Sequence, residues 1–284
     1  MRHPIMITLS LASMLALSAC GEQFLDAEAR NTSVNVIDEN NLNDIMLAAT
    51  DPNEAVSYFS RSVATDPDRI DLQRGLALSL VRAGRPEDAL RSWKIVVAHD
   101  DVTNEDQVNY GGTLIRAGKW DQAESVLQAV PPTYETAKRY RLAAMVADSN
   151  QQWKKADSFY ETASGLTTKP SGVYNNWGFS RLTRGDYQEA EKLFLRALRY
   201  DPSLFTAKNN LVLARGAQRN YVLPIIQMSQ TERAQLLHTL ALTAIKQNDV
   251  SIGKGLLSDA IETHPQYFEV AVRSLDALEA NVTN

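Results

Sequence analysis

Two pairs of adjacent asparagines, Asn175-Asn176 and Asn209-Asn210, stand one repeat apart in a chain of 284 residues. An asparagine amide carries both a donor and an acceptor. A row of them on one face can therefore grip an extended peptide backbone without reading its side chains. Earlier in the chain Arg74, Arg82, Arg116 and Arg141, together with Asn109, fall on the same face when the periodicity set out below is used for numbering. Guanidinium groups in such a row favour a segment that bears carboxylates. The alternative stays open that asparagine is merely common at these places and that the arginines are solvated. Covalent chemistry has little to work with. The chain lacks G-x-S-x-G, H-E-x-x-H, a phosphate loop and G-x-G-x-x-G. His3, His99, His238 and His264 are scattered, and the one cysteine, Cys20, can form neither an internal disulfide nor a thiolate metal site. The expectation is a binding protein and not an enzyme, without metal, cofactor or small-molecule substrate.

The elements that must position these groups follow from a repeat. The small residues Ala55, Ala89, Ala123, Ala156 and Ala190 recur at intervals of 34, 34, 33 and 34. Four positions after each comes a large residue: Phe59, Trp93, Leu127, Tyr160 and Phe194. Upstream, Gly84, Gly118 and Gly185 keep the same phase, where a residue with positive φ ends a helix cheaply. Ala77, Gly111, Ala144 and Gly178 let the two helices of a unit approach closely, while the large residue fills the gap beside them. The pattern resembles the tetratricopeptide repeat, most clearly from Tyr174 through Gly178-Phe179, Gly185 and Ala190 to Asp201-Pro202. The fold expected is all-α: a right-handed superhelical solenoid of about six to seven helix pairs over 40–284, closed by a C-terminal capping helix whose stripe is Phe268, Ala271, Val272, Leu275 and Leu278. Pro67 and Pro202, each in an Asp-Pro pair, are read as helix starts. Pro224 in Tyr221–Ile226 breaks one unit near 220–230, where a shortened second helix is expected before a capping box at Ser229–Glu232.

The composition, 44% hydrophobic and 22% charged, is that of a folded protein, and a net charge of −5 removes the counterion-release term that drives binding to nucleic acid. A basic start at Arg2 and an apolar run from Ile5 to Leu17 read as a secretory signal, residues 1–19, too short for a stable membrane span. Leu17-Ser18-Ala19-Cys20 resembles a bacterial lipobox, which implies cleavage before Cys20, acylation of its thiol and a lipid anchor in the membrane. Gly21 in the following position favours outer-membrane sorting. Residues 20–39 are polar and aperiodic, a lipidated tether, with a docked extended segment as the alternative.

Lipobox, repeats, the run Asn175–Phe179, Lys208–Leu211 and the stretch Ala207–Gln227 followed by Leu236–Leu240 together resemble the TadD-type lipoproteins of the tight-adherence (Flp) pilus assembly system. That resemblance implies a periplasm-facing outer-membrane adaptor whose protein partner is the pilus secretin or another assembly component. A scaffold for polysaccharide export or other envelope assembly is the alternative.

Overall fold

The computed structural model describes residues 42–48 and 51–282, and the described chain is helical throughout. Cys20, the signal at 1–19 and the tether at 20–39 lie outside the described residues. Residues 42–48 form a short helix, α1. It is followed by α2 (Pro52–Thr65), α3 (Ile70–Arg82), α4 (Pro86–Val97), α5 (Asn104–Arg116), α6 (Trp120–Ala129) and α7 (Ala137–Ser149). Then come α8 (Trp153–Gly165), α9 (Ser171–Thr183), α10 (Tyr187–Tyr200), α11 (Phe205–Ala217), α12 (Gln230–Lys246), α13 (Val250–Thr263) and α14 (Glu269–Val282). The chain divides into two compact units, one ending at Asp106 and the other beginning at Gln107. Among the described residues no helix is long and apolar enough to cross a membrane.

In the first unit the Phe59 ring of α2 is fully buried against α3 at Gly75, where a Cβ would stand 2.2 Å from the ring. Ala77 of α3 and Trp93 of α4 are likewise fully buried. The short α1 is tied on by polar groups: the Tyr58 hydroxyl donates to Asn43 Oδ1 at 2.8 Å, and Arg82 donates to the Leu47 carbonyl at 2.5 Å.

The second unit, which begins within α5, runs in pairs, α5–α6, α7–α8, α9–α10 and α12–α13, with α11 standing without a helical partner of its own. Leu127, Tyr160 and Phe194 are buried, each four residues beyond a fully buried alanine, as the repeat requires. A Cβ on Gly178 would lie 2.6 Å from Phe194 Cε1, so glycine here is what lets α9 and α10 close.

One turn is used throughout. The residues Gly84, Gly118, Gln151, Gly185, Arg219 and Asn248 all have positive φ, between 57° and 81°. At Gly118 the amide donates to the Ile115 carbonyl at 3.0 Å, and the next amide, of Lys119, donates to Leu114 at 2.8 Å. The same pair of bonds recurs at the other five, the Schellman arrangement that satisfies the last carbonyls of a helix. Three of these positions are not glycine, which is why the glycine spacing alone shows only half of them.

Two sequence expectations are corrected. Pro67 and Pro202 do not begin helices. Each is the second residue of a turn, closed by Arg69 N–H to Asp66 O at 3.4 Å and Leu204 N–H to Asp201 O at 3.2 Å, and α3 and α11 start three residues after the proline. Nor is there a shortened helix around Pro224, since residues 218–229 contain none. The left-handed turn at Arg219 forms on schedule, but proline then lacks the amide a helix would need. The segment instead becomes a strap. Arg219 forks onto Asp249, the Tyr221 hydroxyl donates to Asp249 Oδ2 at 2.6 Å, and Leu223 and Ile226 pack on neighbouring core clusters. With no second helix between them, α11 and α12 are joined by buried Lys208, whose Nζ reaches Glu232 Oε1 at 2.8 Å. Glu232 also completes the capping box with Ser229 that the sequence announces.

Candidate functional site

In the second unit the helices α5, α7, α9 and the unpaired α11 carry most of the residues singled out in the sequence. A cleft of about 420 Å³ opens between α7, α9 and α11, lined by Met145, Asn175, Asn176, Phe179, Thr206 and Asn210. Further along α9 and α11, a second cleft of about 570 Å³ is lined by Leu182, Leu213, Leu242 and Lys246. The helical period puts Thr206, Asn210, Leu213 and Ala217 on one stripe of α11, so a single face passes from polar to apolar along its length. Phe179 and Leu242 are each about half exposed there, at 50% and 46%.

The asparagines form a ladder, and each uses only one end of its amide within the fold. Asn210 Nδ2 donates to Asn175 Oδ1 at 3.1 Å. Asn209 Oδ1 accepts from the Thr239 hydroxyl at 2.8 Å, and Asn176 Nδ2 stands 3.2 Å from Met145 Sδ. Asn109 Oδ1 accepts from Lys138. The opposite ends (Asn175 Nδ2, Asn176 Oδ1, Asn209 Nδ2 and Asn210 Oδ1) make no hydrogen bond among the described residues. A side chain pinned by one end presents the other in a fixed direction, which lowers the entropy lost on binding.

The arginines separate into two kinds. Arg74 grips Asp106 with Nε and Nη2, both at 2.8 Å, and adds the Asp101 carbonyl, while Arg82 holds α1 through its carbonyls. Both guanidinium groups are engaged inside the first unit. Burial alone would raise the Asp106 carboxyl, but bonds from Arg74 and Thr103 hold it below its ordinary value. Arg116 and Arg141, in the second unit, make no ion pair or hydrogen bond among the described residues. Arg116 is exposed, and Arg141 is half-buried.

Beneath the cleft lies a polar network that the sequence did not disclose. Asp148 accepts from the Ser180 hydroxyl at 2.6 Å and the Tyr160 hydroxyl at 2.9 Å, and burial pushes its carboxyl up. Asp157 receives Arg181, Arg184 and the Trp177 indole at 2.7–2.9 Å. These bonds tie α7, α8 and α9 together under the asparagines. Trp120 and Trp153 also line the cleft. Both open a second helix, directly after a left-handed turn, and Arg184 lies 5.3 Å over the Trp153 ring. Among the described residues no cluster of histidine, aspartate or glutamate could hold a metal ion.

Comparison with known proteins gives the helix pairs a name. Models described as tetratricopeptide repeat match residues 171–204, and also 47–93 and 74–137. The helix pairs within those stretches are tetratricopeptide repeats. Solved structures agree on the fold. The Cut9–Hcn1 hetero-tetramer of the APC/C matches with a TM-score of 0.59 at 16% identity, over 90% of this chain and 52% of that one. The human IFIT1 dimer with m7Gppp-AAAA matches at 0.58 and 15%, over 80% and 58%. A tetratricopeptide repeat protein from Parabacteroides merdae matches at 0.54 and 14%, over 89% and 98%. The chain thus spans little more than half the length of the first two. No curated protein matches it in sequence.

Proposed function

We propose that this protein is a lipid-anchored adaptor at the outer membrane that captures an extended segment of a pilus assembly component, with the secretin as the first candidate partner. Tetratricopeptide repeats serve protein–protein contact, and the chain carries a scaffold of them. The observation that carries the binding mode is the asparagine ladder. Three amides, those of Asn175, Asn176 and Asn210, each fixed by one end and unbonded at the other, line a cleft, and Asn209 is held by Thr239 at the apolar cleft beyond it. An extended backbone offers alternating donors and acceptors to such a row and drops apolar side chains into the second cleft. The lipobox-like Leu17–Cys20 supports the anchor. Tethering confines the groove to the membrane surface and raises the effective concentration of any partner held there, so a modest affinity suffices.

The test is affinity capture of the acylated protein from envelope extracts, with and without Asn176→Ala and Asn210→Ala. Recovery of the secretin or another pilus component, lost in the double variant while helicity is retained, is the expected result. Recovery of polysaccharide-export or other envelope-assembly proteins in their place would overturn the pilus assignment. Undiminished capture by the double variant would overturn the groove.

A further inference from the structure

Arg141 stands apart from every other arginine. Among the described residues, each of the other half-buried ones has a partner: Arg69 has Asp71, Arg74 has Asp106, Arg139 the carbonyl of Val130, Arg181 and Arg184 share Asp157, and Arg215 has Glu191. Arg141 is half-buried and has none. The charge closest to it in effect is another cation, Arg116 at the end of α5, itself unpaired. Burial first, and that like charge second, lower its affinity for its own proton. Across from the guanidinium on α9 stands Gly172, where an added Cβ would lie 3.4 Å from Nη1. A half-desolvated cation beside a second cation opposes folding unless an anion arrives to meet both.

We infer that Arg141 and Arg116 form an acid-reading subsite at one end of the groove, receiving carboxylates from an acidic run within an extended segment of a partner protein. The inference rests on the groove reading above and gives its ligand a chemistry and an order. Carboxylates lie over α5 and α7, and the backbone is gripped by the amides of α9 and α11. An apolar side chain sits at the far end against Leu213 and Leu242. Guanidinium forks match carboxylate geometry in two bonds at once, which ammonium groups do not. The chain's overall acidity sharpens the selection, because an acidic segment is repelled elsewhere and is drawn to the two unpaired arginines.

The experiment is selection from a random linear-peptide display library on the full chain, followed by anisotropy titration of the selected peptides. Expected are sequences with aspartate or glutamate at one end and an apolar residue at the other. Their affinity should fall about tenfold or more in Arg141→Gln and in Arg116→Gln, and stay unchanged in Arg91→Gln, an exposed unpaired arginine on α4. Arg141→Met should melt no lower than the parent, since it removes an unpaired cation and keeps the stem. Selected peptides without acidic residues, equal affinity in Arg141→Gln, or a lower melting temperature for Arg141→Met would overturn the subsite. So would loss of binding on amidating the peptide's own C-terminus, which would place a terminal carboxylate there instead. Failure to select any peptide that competes at the asparagine ladder would defeat the groove reading itself, which separates the two failures.

Discussion

Gly178→Ala and Gly255→Ala are the same substitution in two helices, and they should change stability in opposite directions. On α9 the added Cβ would lie 2.6, 2.8 and 3.0 Å from Cε1, Cδ1 and Cζ of Phe194. Carbon atoms in contact prefer about 3.5–4.0 Å, so the ring must retreat by roughly an ångström. It has nowhere to go, because Phe194 is fully buried among Leu193, Ala197 and Leu211. Overpacking of this kind costs about 1–3 kcal/mol. Alanine returns about 0.5–1 kcal/mol through its better helix propensity. Taking the middle of each range, the net is a destabilisation of about 1 kcal/mol. On α13, Gly255 has nothing within 4 Å of the Cβ position, so only the propensity remains and the variant should gain about 0.5–1 kcal/mol. Urea unfolding followed by circular dichroism measures both. A Phe194→Leu background supplies the control, since a smaller side chain relieves the clash and should make Gly178→Ala nearly neutral there. If Gly178→Ala is as stable as Gly255→Ala, or if Phe194→Leu does not rescue it, close approach is not why the repeat keeps a small residue at this place.

Three further outcomes follow from the same geometry. Gln151→Gly relieves a left-handed non-glycine residue whose turn bonds are all main-chain, and should stabilise by about 1 kcal/mol, seen as a rise in melting temperature of a few degrees. At the join between α11 and α12, Lys208→Met should be nearly neutral because Glu232 can return to water. Glu232→Ala leaves a buried ammonium alone and should cost about 3 kcal/mol or more by urea titration. Carboxyl titrations followed by NMR should separate Asp148 from Asp106. Asp148, raised by burial, protonates first as pH falls, and folding is favoured by that proton uptake. Asp106, held below 3.8, stays ionised longer, and the stability its depressed value contributes is present above that pH and lost as pH falls through the folded value. Arg74→Met should raise Asp106 by removing one of the two sets of bonds that depress it, and leave Asp148 where it was.

How much of this was legible beforehand depends on whether a feature is local or shared between repeats. Helix packing was legible because a repeat that must stack on its neighbours keeps its alanine and its large residue at a fixed spacing, and Phe59, Trp93, Leu127, Tyr160 and Phe194 all lie buried. Pro202 reads as a helix start because Asp201-Pro202 suits both a helix start and a turn; the Asp201 side chain, bonded to the Ser203 amide at 2.9 Å, decides for the turn, and α11 begins at Phe205. The left-handed turns at Gln151, Arg219 and Asn248 were invisible, since a strong pair of main-chain bonds overrides what the residue type prefers. Lys208 was seen only as part of a resemblance. Its burial depends on the helix missing beside it.

The same distinction explains the functional face. The positions of Asn175, Asn176, Asn209 and Asn210 followed from the period. Which end of each amide is free did not, because that is settled by a neighbour about one repeat away: Asn175 by Asn210, Asn176 by Met145, Asn209 by Thr239. The arginines show the point more sharply. By phase alone Arg74 and Arg141 are interchangeable, two cations on first helices of a solenoid. What separates them is that the first helix of the next pair offers Asp106 to the first and Gly172, with no side chain at all, to the second. A cation answered by its neighbouring repeat is part of the scaffold, and one left unanswered is available to a ligand. In a repeat protein, therefore, sequence phase identifies the face, and the cross-repeat pairings decide which of its residues remain available for binding.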